Sequence, residues 1–203
     1  RAEVSQATGM LVAQLEIEPA EALVRLRAHA YATGRSATDV ARDILLTRAQ
    51  VIAHGIAPHD HFDTGLALAL RERWPSMVRD YRHAIHAKPL EAGEIWAWAG
   101  VDADGRTRGI VNLLTQGMIG DGKAAKPGKA TLENVSRSLK ALARHLRDEK
   151  VTSVALPRLA TGVGGLEWSD VKPLVRQHLG VVGVPVVVYD VYVKGVRADE
   201  GLG

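Results

Sequence analysis

Cysteine is absent from the 203 residues of this chain, and aromatic residues make up only 4% of it. The absence of cysteine excludes disulfides and thiolate metal sites, and it fits the reducing environment of a cytoplasmic protein. No apolar run is long enough to cross a membrane and no signal peptide is visible, so we expect no membrane partner. The chain also contains no internal repeat and no low-complexity tract.

The excess of positive charge is small, with a formal net charge of +3 at pH 7. This charge permits an anionic ligand but does not indicate bulk binding of nucleic acid. Hydrophobic residues make up 46% of the chain. That fraction and length are sufficient for one domain of ordinary size with a small additional unit.

Residues 1–47 predict three short helices and no strand. Apolar residues recur at helical spacing between Val4 and Leu15, and again between Ala22 and Ala30. Ser36 followed by Asp39 is typical of a capping box that begins a third helix. We therefore expect a small N-terminal three-helix unit.

Residues 48–203 predict a second domain of the α/β class. Asp102–Gly105 is typical of a hairpin turn, and apolar spacing predicts a long amphipathic helix between Leu132 and Leu146. Several apolar, β-branched runs predict strands that are buried on both faces. The predicted strands span residues 51–53, 94–101, 110–115, 151–156 and 184–191. We expect a mixed sheet between helix layers.

The most informative stretch is a glycine-rich loop within residues 157–168, "PRLATGVGGLEW". An apolar strand, 151–156, precedes it and an amphipathic helix, 169–179, follows it. A strand that turns through glycines into a helix places several backbone N–H groups around one small volume, which suits a phosphate. A tight turn without a ligand is the alternative that this pattern leaves open.

A second stretch, residues 53–67, has the same order of strand, polar loop and helix. Gly65 begins the helix, whose first N–H groups have no partner within the helix. If the strands before the two loops are neighbours, both loops lie at the same edge of the sheet. Two such loops suit a diphosphate better than a single phosphate.

These residues resemble the macro domain, and within it the branch of terminal ADP-ribose glycohydrolases and of antitoxins that remove ADP-ribose from DNA. The resemblance runs from Gln50 to Tyr192. Its motifs are "IAHGIAPHDHFDTGLA", "ERWP", "NLLTQ", "KATLEN", "PRLATGVGGLEW" and "VVVYD". The family fold is a mixed sheet between helix layers, which agrees with the pattern of strands and helices.

The resemblance also implies which residues bind ADP-ribose. The polar loop contacts the distal ribose and part of the diphosphate, the glycine-rich loop contacts the rest of the diphosphate, and Tyr189 and Asp190 lie near the adenine. The implied residues of the two loops are Ala57, Asp60, Phe62, Asp63, Thr64, Gly65, Leu66, Thr161, Gly162, Val163, Gly164, Gly165 and Leu166.

Two residues that the resembling hydrolases use in catalysis differ in this chain. Gln116 stands in place of their lysine at the end of the "NLLT" strand, and Gly164 stands in place of an aspartate. The DNA-directed relatives also carry glycine at the second position. An amide can neither form a Schiff base nor act as a general base. Asp63 is the nearest remaining candidate for the general base, with Gln116 as the second catalytic candidate.

A lysine from the loop after Gln116 is an alternative source of an amine. The three lysines of this loop are Lys123, Lys126 and Lys129. Spacing alone does not show which of them reaches the site.

His59, Asp60, His61 and Asp63 are residue types that suit a metal ion. Successive loop positions point in different directions, however, and no second cluster of ligands completes a coordination shell. We therefore interpret these residues as polar groups that face the ribose, and we expect no metal and no cofactor.

Residues 3–46 resemble an ANTAR domain, a three-helix RNA-binding module of bacterial antiterminators. The matching stretch is "QATGMLVAQLEIEPAEALVRLRAHAYATGRSATDVARDIL". Thr8 stands in place of a frequent lysine of that family. Arg25, Arg27 and Arg35 are candidates for contact with RNA phosphates, and a solvated helix face is the alternative.

Asp43 belongs to two conflicting interpretations. Macro domains begin with a strand that ends in a Gly-Asp pair, and "RDILLTRAQVIAHG" resembles that entry, with Arg42 for glycine and Asp43 for the aspartate that binds adenine. The capping box favours a helix over the same residues. We therefore expect the first macro strand to be missing or replaced, and the adenine subsite to be altered.

The leading hypothesis is a macro domain, residues 48–203, that binds ADP-ribose and hydrolyses it from modified protein or nucleic acid. A reader that binds ADP-ribose without hydrolysis is one alternative. A second alternative is an RNA-binding regulator, in which residues 1–47 bind RNA and the macro-like part senses a nucleotide. The third is an α/β scaffold that acts through protein contacts.

Overall fold

The structure is a computed structural model that describes residues 12–16, 25–29, 37–120, 122–189 and 200–202. Seven of its strands form one sheet and two more form a separate hairpin. The strands are β1 (Val12–Glu16), β2 (Arg25–His29), β3 (Val51–Ile56), β4 (Ile95–Val101), β5 (Thr107–Leu114), β6 (Gln116–Ile119), β7 (Lys126–Ala130), β8 (Val154–Pro157) and β9 (Val186–Tyr189). The helices are α1 (Ala37–Leu45), α2 (Gly65–Arg73), α3 (Pro75–Ala87), α4 (Leu132–Asp148) and α5 (Trp168–Leu179).

The main sheet is mixed, in the order β1-β2-β9-β8-β3-β5-β4. Its five inner strands run parallel, and β1 and β4 pair antiparallel at the two edges. The predicted hairpin is confirmed, because β4 and β5 pair around the turn at Gly105, whose φ is +79°. The predicted mixed sheet between helix layers is confirmed as well.

Each face of the sheet carries its own hydrophobic core. In β3, Val51 and Ala53 belong to the core covered by α4 and α5, whereas Ile52 and Ile56 belong to the core covered by α1, α2 and α3. This alternation follows from the two-residue period of a strand, and both faces are apolar because helices cover both. β3 therefore lies in the interior of the sheet, with its two faces covered by helices.

The prediction of three N-terminal helices is wrong for two of them within the described residues. Val12–Glu16 and Arg25–His29 form an antiparallel pair of strands, and β2 continues the sheet beside β9 through Leu26 opposite Val186. Residues 25–29 alternate strictly between polar and apolar types, a strand pattern that the helical spacing of the wider segment concealed. Pairing also satisfies the edge of β9, whose backbone groups need partners.

The third predicted helix is confirmed as α1, and Asp43 lies within it. The segment that resembles the first macro strand is therefore helical here. The sheet continues beyond β9 with β2 instead. Its capping residue, Ser36, lies outside the described residues. None of the helices in the described ranges is long and apolar enough to cross a membrane.

Candidate functional site

The two predicted ligand loops follow neighbouring strands. β3 and β8 are parallel and in register, with Val51 opposite Val154 and Ile52 opposite Ala155. The polar loop (57–64) and the glycine-rich loop (158–167) therefore leave the sheet at the same side, where the parallel strands have their carboxyl ends. A Cβ placed on Gly55 would lie 3.3 Å from the Leu159 Cδ1, so the backbone of β3 and the start of the glycine-rich loop are in close contact.

The polar loop is organised by its own side chains. The Phe62 N–H donates to the Asp60 carboxylate over 2.7 Å, and the Asp60 N–H donates to the Ala57 carbonyl over 3.1 Å. The Tyr81 hydroxyl of α3 donates to the Pro58 carbonyl over 2.8 Å. Asp60 thus shapes the turn through bonds to the backbone, a role that short acidic side chains often take in loops.

Phe62 anchors the polar loop in the core. Its φ is +54°, and its ring is fully buried. The ring centroid lies 5.4 Å from that of Tyr81 and 6.4 Å from that of His54, both in edge-on geometry. A left-handed backbone is unfavourable for phenylalanine, and burial of the ring offsets that cost. Any contact of Phe62 with a ligand is left to its backbone, whereas Asp63 and Thr64 are exposed.

His54 lies buried beneath the polar loop and is neutral. Its Nε2 lies 2.6 Å from the Asn112 Oδ1 on the neighbouring strand. Burial lowers the pKa of His54 to about 4, because desolvation disfavours the charged imidazole more strongly than the Asn112 hydrogen bond and the Asp60 charge favour it. This buried pair supports the site from below and was not singled out by the sequence, where His54 is one of several histidines.

The glycine-rich loop is a closed turn. The Leu166 N–H donates to the Ala160 carbonyl over 3.0 Å, and the Gly165 N–H donates to the Gly162 carbonyl over 3.1 Å. A Cβ on Gly164 would lie 2.5 Å from the Ala160 oxygen, which is closer than real side chains approach. In this loop conformation, position 164 has no room for a residue with a Cβ.

Both loops present backbone donors without a protein acceptor. Within the part of the chain that the structure describes, the N–H groups of Gly162, Val163 and Gly164 donate to no protein atom. At the start of α2, Thr64 makes no side-chain cap, so the first N–H groups of that helix are also available. Donors of this kind at one edge of a sheet are suited to the oxygens of a diphosphate.

The segment that follows Gln116, which the sequence analysis treats as a loop with three lysines, folds as the β6–β7 hairpin. The Gln116 side-chain amide donates to the Gly128 carbonyl over 2.7 Å and is buried. Gln116 therefore stabilises the hairpin through its Nε2 group. Glycine allows the turn between the two strands, since Gly120 has a φ of +86°.

Lys129 is the lysine that the hairpin brings to the glycine-rich loop. Its Nζ lies 3.3 Å from the Val163 carbonyl, and the neighbouring Ala130 N–H donates to the Gly164 carbonyl over 3.0 Å. Lys126 is exposed near the start of β7, and the side chain of Lys123 lies outside the described atoms. Spacing alone did not separate these three lysines, because their placement depends on the hairpin register.

Tyr189 is the last residue of β9 and is buried, with its hydroxyl donating to the Glu200 carboxylate. Burial raises the pKa of Tyr189 above its ordinary value, and the Glu200 charge raises it further. The same carboxylate accepts the Thr47 hydroxyl and, over 2.8 Å, the Arg48 N–H. Tyr189 thus joins the end of the chain to the segment before β3. Asp190 lies outside the described residues.

The structure assembles most of the predicted positions into two groups. Ala57, Asp60, Phe62, Asp63 and Thr64 belong to the polar loop, with Gly65 and Leu66 at the start of α2. Thr161–Leu166 form the glycine-rich loop. Among the described residues, no three His, Asp or Glu side chains come together in a way that could hold a metal ion.

Curated relatives match more than two thirds of the chain. A fusion protein of a DNA ADP-ribosyl transferase and a DNA ADP-ribosyl glycohydrolase from Thermosipho africanus is 26% identical over 72% of this chain and 40% of its own length. A DNA ADP-ribosyl glycohydrolase from Mycobacterium tuberculosis is 30% identical over 68% of this chain and 37% of its own length. The chain thus spans well under half of these two relatives.

Solved structures share the fold. The macrodomain of Thermus aquaticus DarG superposes with a TM-score of 0.64 at 24% identity, over 82% of this chain and 99% of its own. The Mycobacterium tuberculosis DarG macrodomain gives a TM-score of 0.61 at 25% identity, over 79% of this chain and 96% of its own. Thermosipho africanus DarTG in complex with ADP-ribose gives a TM-score of 0.62 at 20% identity, over 86% of this chain and 43% of its own.

Two family models match the chain. The model of the ANTAR domain matches residues 1–45, where the described segments 12–16 and 25–29 are strands. The model of the macro domain matches residues 57–175, which include both ligand loops, the β6–β7 hairpin and the long helix α4. The predicted boundary between residues 47 and 48 falls between the two matches and stays a prediction. The chain belongs to the macro domain family.

Proposed function

We propose that this macro domain, residues 48–203, binds ADP-ribose between the polar loop and the glycine-rich loop and hydrolyses it from modified nucleic acid. The observation that carries the proposal is the pairing of β3 with β8, which puts two loops with unsatisfied backbone donors at one edge. The named activities of the relatives, which are DNA ADP-ribosyl glycohydrolases, support DNA as the substrate.

The diphosphate would accept hydrogen bonds from Gly162, Val163 and Gly164 on one side and from the start of α2 on the other. In this proposal the distal ribose lies toward Asp63, which is exposed two residues before Gly65. Water attacks the ribose carbon that is bonded to the nucleic acid, that bond breaks, and the leaving group takes a proton. Asp63 is the candidate base that accepts the proton of the attacking water.

The Gln116 side chain takes no covalent part in this proposal. An amide is not a nucleophile under these conditions, and the Gln116 amide donates a hydrogen bond to the Gly128 carbonyl. Removal of ADP-ribose is therefore expected to be slow relative to an enzyme with an activated amine. The reader alternative, which binds without hydrolysis, differs from the proposal only in this step.

Titration calorimetry with free ADP-ribose tests the binding part of the proposal. We expect a saturable isotherm with one site. No heat at millimolar ligand would contradict it, and would leave the scaffold alternative.

Release of ADP-ribose from a modified DNA oligonucleotide tests the hydrolytic part. We expect slow release by the unaltered protein and loss of release in Asp63→Asn. Asp148→Asn, at the exposed end of α4, is the matched control and should release ADP-ribose like the unaltered protein. Binding without any release would identify a reader and overturn the hydrolytic proposal. Release that is equally fast in Asp63→Asn would exclude Asp63 as the base.

A second candidate function rests on the ANTAR match to residues 1–45. In that proposal the N-terminal unit binds RNA, and the macro domain reports on a nucleotide. An electrophoretic shift with paired RNA hairpins tests it. A shifted band in the micromolar range would support it, and an unchanged band at high micromolar protein would contradict it.

A further inference from the structure

Lys129 is a residue of β7, and its positively charged side chain contacts the glycine-rich loop. Its Nζ lies 3.3 Å from the Val163 carbonyl oxygen. The same Nζ would lie 3.3 Å from a Cβ on Gly165, and the Lys129 Cδ would lie 3.2 Å from that Cβ. The side chain from Cδ to Nζ thus lies against this loop at Val163 and Gly165.

The hairpin fixes this position from both sides of Lys129. Gly128 accepts the Gln116 amide over 2.7 Å, and Ala130 donates to the Gly164 carbonyl over 3.0 Å. Along β7, Gly128 and Ala130 are buried while Lys129 is exposed, as the alternation of a strand requires. The backbone of Lys129 is therefore held in place, and its side chain is directed toward the glycine-rich loop.

The charge of Lys129 has no carboxylate partner in the described ranges, where no Asp or Glu oxygen lies within 4.0 Å of its Nζ. Its hydrogen-bond acceptor there is a neutral carbonyl. An ammonium group gains more from an anionic oxygen than from a neutral one, because charge-assisted hydrogen bonds are stronger. The loop beneath it already offers donors that suit an anion.

We propose that Lys129 is the cation of the diphosphate subsite, and that its Nζ exchanges the Val163 carbonyl for a phosphate oxygen when ADP-ribose binds. This inference rests on the proposed function. The resembling hydrolases carry their lysine at the position of Gln116, which is the first residue of β6 in this structure. This chain has an amide there and brings an ammonium group from β7, the strand that pairs with β6.

Calorimetric titration of ADP-ribose into four proteins tests the inference: the unaltered chain, Lys129→Met, Lys129→Arg and Lys126→Met. The Lys126 variant is the matched control, because it removes an exposed lysine from the same strand. We expect Lys129→Met to weaken binding about tenfold or more, the effect of losing one charge-assisted hydrogen bond. Lys129→Arg should retain affinity within about threefold, since it keeps the charge. Lys126→Met should bind like the unaltered chain.

Salt dependence and thermal melting separate a ligand contact from a merely structural role. Affinity of the unaltered chain should fall with ionic strength more steeply than that of Lys129→Met, because one charge contact has been removed. The melting temperatures of the two should agree. A lower melting temperature with the same salt dependence would overturn the inference in favour of a structural role.

The two proposals fail in different ways. Equal affinities of the unaltered chain and Lys129→Met would refute the role of Lys129 and leave ADP-ribose binding intact. Absence of binding by the unaltered chain would overturn the proposed function, and the role of Lys129 with it.

Discussion

At the scale of single residues, buried side chains and one crowded glycine hold the loops of the site in place. His54 and Asn112 form a buried pair beneath the polar loop, and Phe62 anchors that loop with its ring in the core. Gly164 permits a turn in which no Cβ fits. The positions of Asp63, Thr64 and the free backbone donors follow from these supports.

Burial of His54 should make the stability of the protein depend on pH. In the folded protein His54 stays neutral down to its pKa of about 4, whereas in the unfolded chain it takes up a proton below its ordinary pKa of 6.5. Unfolding is therefore coupled to proton uptake, and His54 lowers the free energy of unfolding by up to ~1.4 kcal/mol per pH unit between these limits. The contribution of His54 to the free energy of unfolding is fully present above pH 6.5 and is lost as the pH falls toward about 4.

Urea unfolding at a series of pH values between these limits measures the effect. His54→Gln should flatten the pH dependence, because glutamine cannot take up the proton. His83→Gln, at an exposed position of α3, is the control for loss of an imidazole. An undiminished slope in His54→Gln would show that other groups cause the acid sensitivity.

The second residue-scale prediction compares two glycines of the same loop. A Cβ on Gly164 would lie 2.5 Å from a backbone oxygen, whereas one on Gly162 would have nothing within 4 Å. Gly164→Ala should therefore lower the free energy of unfolding by ~1–3 kcal/mol, the usual cost of forcing atoms into a packed site. Gly162→Ala should leave it nearly unchanged. Chemical denaturation of both variants measures this difference, and equal stabilities would refute the tight turn.

At the scale of elements, the sequence predicted long and strongly patterned segments well. The amphipathic helix from Leu132, the hairpin turn at Gly105 and the buried strand that begins at Val51 are all present. The errors fall where two patterns compete. Residues 25–29 carry strand alternation inside a segment of helical spacing, and the sheet edge at β9 decides the outcome through pairing.

The β6–β7 hairpin illustrates a second limit of sequence reasoning. Its strands are short and rich in glycine and lysine, so no apolar alternation marks them. What holds them is pairing with each other and the bond from Ala130 to Gly164, which joins residues far apart in the chain. Contacts of this kind are set by tertiary structure, and the position of Lys129 could not be predicted without them.

The element-scale prediction concerns the start of α4. The Asn134 N–H donates to the Thr131 hydroxyl over 3.1 Å, which caps the helix directly after β7. Thr131→Ala should lower the free energy of unfolding by ~1 kcal/mol, the typical cost of losing such a cap, while Thr131→Ser should lose little. Guanidinium unfolding of the two variants is the measurement. Equal stability of Thr131→Ala and the unaltered chain would show that the cap contributes nothing.

At the scale of the whole molecule, the order of strands creates the site. Sequence patterns predicted two anion-binding loops but not that the loops lie side by side. Their proximity requires β3 and β8 to be adjacent and parallel. The resemblance to macro domains supplied that arrangement, and the structure has it. Helices on both faces then leave the carboxyl edge of the sheet as the place where backbone donors remain accessible.

In a crystal structure of the complex with ADP-ribose, we expect the diphosphate to lie between the two loops. Its oxygens should be within hydrogen-bond distance of the N–H groups of residues 162–164 and of the first turn of α2. A diphosphate bound elsewhere on the molecule, or contacting only one of these loops, would contradict this expectation.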